Sequence, residues 1–234
     1  MFVVLASSRD PVAASLVSRW AAHEAVLFSV RDLSVAGWRH HVGETKAGTF
    51  VAGGCVVPVK EIKGVLTRLP WVSESELPHI APADRNYVAT EMSAFLIAWL
   101  SSLDCRVLNR PSPQCLAGPN WRPEQWVDAA TRLGLPVRPL RRGSRDPAPP
   151  PNGHQDGHSI TVTRIGQHCF GAEEPAQADW ARRLADAAGV ELLAARFDRS
   201  QDGLRFAGAD PWPDISAADM AAAAAETLLP ATLC

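Results

Sequence analysis

Short apolar runs alternate with helical patterns along most of the chain. Residues 2–6 (FVVLA) are apolar and rich in β-branched side chains, so they predict a buried strand. Ser7-Ser8-Arg9-Asp10-Pro11 follows. Asp10 suits a helix N-cap, and Pro11 suits the first turn, where its missing N–H is harmless. Ala13, Leu16, Val17 and Trp20 then recur at helical spacing, and 25–30 (AVLFSV) reads as the next strand. Strand, helix and strand in this order predict a parallel α/β sheet. Two runs flanking Gly53-Gly54, 49–52 and 55–57, predict a hairpin. Residues 63–69 (KGVLTRL) return to the sheet and end at Pro70-Trp71. After a loop over 72–82, the spacing predicts a helix over 84–103 with Val88, Met92, Phe95, Leu96, Trp99 and Leu100 on its apolar face. Cys105 to Leu108 is a strand closed by Asn109-Arg110-Pro111, and a helix over 122–133 ends at Gly134.

The pattern breaks between Leu140 and Gly157. Prolines, glycines and charges (RRGSRDPAPPPNGHQDG) build no packed element there, which predicts a linker over 141–157. Beyond it come a hairpin (158–165 and 167–170), a helix over 175–188, the strand ELLAARF, a short strand at 204–206 and a helix over 216–229. The fold class is α/β: a parallel-sheet domain over 1–140, the linker, and a small α+β domain over 158–234.

Composition narrows the function classes. The 234 residues are 47% hydrophobic and 21% charged, with a formal net charge of −2. That balance gives neither the basic footprint of a nucleic-acid binder nor that of a polybasic membrane-surface protein. No apolar run reaches the ~18 residues of a membrane span, and the opening MFVVLASSRD lacks a basic n-region. The expectation is a cytoplasmic protein with neither nucleic acid nor membrane as partner. Five cysteines (Cys55, Cys105, Cys115, Cys169, Cys234) are odd in number and form no CxxC pair, against a disulfide framework or zinc ribbon. Cys55, after the Gly-Gly pair and without a neighbouring base, reads as a core or turn cysteine. Devices such as G-x-S-x-G, a P-loop or G-x-G-x-x-G do not occur. Twenty arginines stand against three lysines (Lys46, Lys60, Lys63), and no lysine follows Lys63.

Few side chains stand out as candidate chemistry. His154, Asp156 and His158 fall within five residues, with His168 on the following hairpin. Such a set offers ligands to zinc or another borderline metal. Its spacing matches no established ligand pattern, and a solvated loop accounts for it more simply. His40-His41 follows Trp38-Arg39 in a polar stretch and reads as surface. Eight tryptophans against one tyrosine is unusual. Trp20 and Trp99 occupy core-like helical positions. Trp71, Trp121 and Trp212 flank prolines in loops, where a large amphipathic ring serves either the core or an interface between chains.

Several stretches together resemble a known family. They are VLTRLPW (65–71), DRNYVATEMSAFLIAWLSSLD (84–104), VLNRPSP (107–113), PEQWVDAATRLGLPV (123–137), SITVTRIGQHCFGAE (159–173) and GVELLAARFDRSQDGLRFAGADPWPDIS (189–216). In order and spacing they resemble ATP-grasp ligases of the peptide-modifying kind, the RimK-like ribosomal-protein glutamate ligases and the ligases that crosslink microviridin-type peptides. The resemblance implies a pre-ATP-grasp-like N-terminal domain and a C-terminal remnant of the ATP-grasp domain. The departures point to a truncated relative. The family's central nucleotide-binding segment is replaced by the Pro-rich linker, and its phosphate-holding lysines have no counterpart. Arginine is no conservative replacement for lysine at a phosphate cradle. Aligned on the family's closing hairpin, Arg196 stands where magnesium has an aspartate, Gly208 where it has a glutamate, and Asp210 where it has an asparagine. Asp198 supplies a carboxylate there only after a two-residue shift. What the resemblance implies is a pseudoenzyme with no catalytic residues and no cofactor. It would present a peptide or protein substrate, such as a ribosomally made precursor, to a modifying enzyme in natural-product biosynthesis. Loss of the central segment would uncover apolar surface and favour a homodimer or heterodimer. The alternatives are a divergent ATP- and magnesium-dependent carboxylate–amine ligase, or a metal-dependent enzyme using His154, Asp156, His158 and His168.

Overall fold

The computed structural model describes residues 1–138, 159–200 and 203–229. The linker at 141–157, and with it His154, Asp156 and His158, lies outside the described residues. The N-terminal part runs β1 (Phe2–Leu5), α1 (Pro11–Arg19), β2 (Val26–Phe28), the hairpin β3 (Thr49–Ala52) and β4 (Cys55–Pro58), β5 (Gly64–Thr67), α2 (Arg85–Ser102), β6 (Arg106–Leu108) and α3 (Pro123–Arg132). Four of these strands form a parallel sheet in the order β2-β1-β5-β6. Its central strands β1 and β5 are buried at every position because both faces are covered. Phe2, Val4, Leu66 and Leu108 pack with Ala13, Leu16 and Trp20 on one side. Val3, Leu5, Val65 and Val107 pack with Phe50, Trp99 and Leu100 on the other.

Local chemistry fixes the boundaries. Asp10 caps α1, its Oδ1 accepting from the N–H of Val12 at 2.9 Å and of Ala13 at 3.2 Å. The second strand stops at Phe28, short of the predicted Val30. Both the N–H and the hydroxyl of Ser29 donate to Asp32 Oδ2 at 2.9 Å, which turns the chain into a 3-10 segment. The other carboxylate oxygen of Asp32 accepts from Gly54 N–H at 2.9 Å, tying that turn to the hairpin. Gly53 and Gly54 both have positive φ (58° and 76°), the left-handed pair that a two-residue hairpin turn demands. In α2 the apolar face lies where the spacing places it. Trp99 is 1% exposed, with Phe28, Trp38 and Phe50 ring centroids 5.5 to 5.7 Å away.

The C-terminal part runs β7 (Ser159–Ile165), β8 (His168–Phe170), α4 (Pro175–Ala188), β9 (Leu192–Ser200), β10 (Gly203–Asp210) and α5 (Ala218–Leu228). Its antiparallel sheet has the order β10-β9-β7-β8. The tenth strand is longer than the predicted 204–206, and it carries Gly208 and Asp210 into register with β9 across a bulge after Phe206. One face is apolar. Ile160, Val162, Leu193, Ala195, Phe197 and Phe206 pack against Trp126 and Ala130 of α3 and Ala181, Leu184 and Ala185 of α4. The intervening residues go to the other face, the division expected of an antiparallel sheet with one open side.

The two sheets are bound together. Ala221, Ala224 and Leu228 of α5 join the face of the parallel sheet that holds Phe2 and Val4, and Ile165 and Leu192 enter the same cluster. Trp20 Nε1 donates to Ala221 O at 2.9 Å. The helix comes so close that a Cβ on Gly64 would lie 2.8 Å from Leu228 Cβ, so only glycine fits there. Asn109, 2% exposed, sits at the joint. Its Nδ2 donates to the carbonyls of Leu192 and Pro211 at 2.8 Å, and its Oδ1 accepts from the N–H groups of Leu192 (2.9 Å) and Glu191 (3.2 Å). Among the described residues no helix is long and apolar enough to cross a membrane.

Candidate functional site

The open face of the antiparallel sheet is the floor of a cleft of about 670 Å³. Strand register lays two cross-strand rows beneath it. Thr161, Arg196 and Gly208 are successive partners across β7, β9 and β10, and Thr163, Ala194 and Asp210 form the next row. One wall comes from Pro119, Asn120 and Trp121, backed by Trp126. The rings of Trp121 and Trp126 lie 4.7 Å apart between centroids at an interplanar angle of 60°. Trp126 is buried in the core under the sheet, so it holds the half-buried Trp121 at the rim.

The opposite wall is the loop Pro211-Trp212-Pro213-Asp214. It is held by backbone contacts from three directions. Asn109 binds the Pro211 carbonyl, as above, and Asp210 Oδ1 accepts from the Trp212 N–H at 3.0 Å. Arg68 at the end of β5 donates through one nitrogen to Asp10 Oδ2 at 2.7 Å and through another to the Pro213 carbonyl at 2.6 Å. The Arg68 and Asp10 side chains are only 10% and 16% exposed, so water screens the pair little. The hydroxyl and N–H of Ser216 hold the Asp214 carboxyl below its ordinary range; the N–H lies 2.8 Å from Oδ1.

Arg196 is solvent-exposed, and its guanidinium occupies the space above Gly208: a Cβ on that glycine would lie 3.2 Å from Nη2. The floor of the cleft is therefore cationic at its centre, with the hydroxyls of Thr161 and Thr163 along its β7 side. Asp210 and Asp214 set carboxylates along the far wall.

The chain is similar to the macrocyclase MdnC bound with precursor peptide MdnA from Microcystis aeruginosa MRC, with a TM-score of 0.70 and 14% identity over 97% of this chain and 99% of that one. It is similar to a RiPP-associated ATP-grasp ligase from Chryseobacterium gregarium in complex with ADP and a leader and core peptide, at TM-score 0.68 and 9% identity over 97% and 96%. A RimK domain ATP-grasp protein from Sphaerobacter thermophilus DSM 20745 matches at 0.52 and 14% identity over 97% and 99%. The fold is ATP-grasp-like. No protein-family model and no curated protein matches the sequence.

On an ATP-grasp-like fold the closing hairpin is the place to ask about magnesium. The three residues that the resemblance aligns with its ligands do meet there: Arg196 and Gly208 are directly paired, and Asp210 is two residues along. They do not suit the ion. Magnesium takes hard oxygen ligands in octahedral geometry, whereas this trio presents a guanidinium, no side chain, and one carboxylate already accepting from the backbone at Trp212. Asp198, the oxygen reached by a two-residue shift, is ion-paired with Arg138 at 2.9 Å.

The other residues singled out by sequence disperse. His168 lies on the surface with Nε2 3.2 Å from Glu226 Oε2. Among the described residues no three His, Cys, Asp or Glu side chains gather closely enough for a metal ion. Trp121 and Trp212 share the cleft, while Trp71, 52% exposed, borders a separate groove between residues 72–75 and the first half of α2. Cys55 is exposed at the start of β4, just after the hairpin turn, rather than in the core, and the His40 ring meets Phe95 edge-on at 5.9 Å. Sequence reasoning passed over Thr161 and Thr163, although the alternation in SITVTRI marks them as the open face. It also passed over Arg68 and Asn109, whose partners lie 58 to 145 positions away.

Proposed function

We propose that this protein binds a peptide segment in the cleft over β7, β9 and β10 and catalyses no ligation. It is a truncated ATP-grasp-like pseudoenzyme that presents a precursor peptide or protein to a separate modifying enzyme in the cytoplasm, as a homodimer or in a heteromeric complex. The observation that carries the reading is the pairing of Arg196 with Gly208 at the centre of the hairpin. A fixed cation where a second cation would be needed repels magnesium and attracts a carboxylate or a peptide carbonyl instead. Trp121 and Trp212 supply the large, half-buried aromatic surface that dominates peptide and protein contacts. Solved structures of this fold that contain a precursor or leader peptide support the client class.

The test is a calorimetric titration of the whole protein with ATP and magnesium, followed by selection from a displayed peptide library. The expected results are no heat of binding at millimolar nucleotide and selected peptides whose affinity falls about tenfold or more in Trp121→Ala or Trp212→Ala. Magnesium-dependent nucleotide binding would overturn the reading in favour of a ligase with relocated ligands.

A further inference from the structure

A second crevice lies on the parallel sheet, away from the cleft. Its volume is about 420 Å³, and Ser8, Arg9, Ser29, Arg31, Glu76 and His79 are among its lining residues. Three features converge on it. The first is position. Ser8 and Arg9 follow β1, Ser29 and Arg31 follow β2, and Glu76 and His79 lie in the loop after β5, so the crevice sits outside the carboxyl ends of three adjacent parallel strands. The chain leaves β1 for β2 on one side and returns to β5 on the other, which makes this the reversal point where open α/β sheets bind ligands.

The second feature is unspent charge. Arg68, Arg106, Arg132, Arg164, Arg183 and Arg199 all have carboxylate partners. Among the described residues the guanidinium groups of Arg9 and Arg31 have no hydrogen-bond or ion-pair partner, although they line one crevice. The third is the state of the remaining groups. Glu76, the one acid in the lining, already accepts from the Ser7 hydroxyl at 2.7 Å. The Ser8 hydroxyl is uncommitted among the described residues, and His79 Nε2 lies 2.9 Å from the Ser34 hydroxyl.

We infer that this crevice is an oxyanion site, in which Arg9 and Arg31 close on a phosphate or carboxylate group and the Ser8 hydroxyl donates a further hydrogen bond. Two guanidinium forks on one oxyanion form charge-assisted, bidentate contacts, the strong class of hydrogen bond. The site is independent of the magnesium question, because none of its residues belongs to the closing hairpin. It lies one residue from Asp10, whose partner Arg68 also holds the Pro213 carbonyl of the cleft wall.

The test uses the whole protein at constant ionic strength, titrated by calorimetry with inorganic phosphate in one arm and glutarate in another, with chloride as the control anion. Saturable binding of one or both probes is expected, and the arm that binds more tightly identifies the group. The double variant Arg9→Ala/Arg31→Ala should weaken it about tenfold or more, while Arg19→Ala, at the far end of α1, should leave it unchanged. Both arginines are exposed and unpaired, so the double variant keeps its unfolding midpoint, and that is measured alongside. Heats no larger than those of chloride, or equal affinity in the double variant, would overturn the assignment.

Discussion

The two sheets of this protein solve opposite problems. The parallel sheet is covered on both faces, so every position of its central strands β1 and β5 is buried and spent on packing. The antiparallel sheet is covered along the whole of one face, while on the other α5 covers only the end that carries Ile165 and Leu192. Its other face carries Thr161, Thr163, Ala194 and Arg196, and these become the floor of a cleft. The consequence is a division of tolerance. Substitution in the first sheet should be felt as stability, and on the proposed function substitution in the cleft floor of the second should be felt as binding.

The sharpest way to break that comparison is at the two tryptophans that represent it. Trp99→Ala should cost about 3–5 kcal/mol in urea unfolding, because it empties a fully buried aromatic site. Trp212→Ala should cost under about 1 kcal/mol. Comparable losses would mean that the cleft wall is part of the core. Asn109→Ala comes next, at about 2–4 kcal/mol, since it strands backbone groups of residues 191, 192 and 211 away from water. If it unfolds no more readily than the parent, the joint between the sheets is held by α5 alone.

A gain of function sharpens the contrast on the open face. Arg196→Asp/Gly208→Glu replaces a cation and an empty position with two carboxylates beside Asp210. Calorimetry should then detect magnesium binding at millimolar concentration that the parent lacks. Thiol chemistry separates the regions more gently. Burial pushes the Cys105 thiol up to about 11, whereas Cys55 is exposed at the hairpin turn. Iodoacetamide at pH 8 should label Cys55 in the folded protein, and Cys105 only after unfolding.

The smallest effect concerns Asp214. Hydrogen bonds from Ser216 lower its folded-state pKa from an ordinary 3.8. A lowered carboxylate stabilises the fold above its unfolded value and loses that contribution as pH falls through the folded one. Stability should therefore dip slightly below pH 3.8, and Ser216→Ala should flatten that dip. An unchanged acid profile in the variant would remove Asp214 from the account.

Much of this was written locally. FVVLA, the Asp10-Pro11 start of α1 and the Gly53-Gly54 turn each carry their own signal, and the structure places strand, cap and turn accordingly. The tenth strand was half hidden. Gly208 and Asp210 are poor strand formers, and only their cross-strand partners on β9 hold them extended. Asn109 looked like a turn residue before a proline because its four partners belong to residues at least 82 positions away. The cleft was legible only in pieces. Arg196, Gly208 and Asp210 came from the resemblance, Trp121 and Trp212 from their prolines, and no local pattern announces that all five meet.

The seat of α5 bears on how the molecule is made. A translating ribosome releases β1 well before α5, yet the apolar face of Phe2 and Val4 is sealed by Ala221, Ala224 and Leu228 together with α1. Until α5 emerges only α1 covers that face, which leaves the remainder exposed to chaperones or to other nascent chains. Completion of β1's cover waits on a helix that emerges much later in the chain.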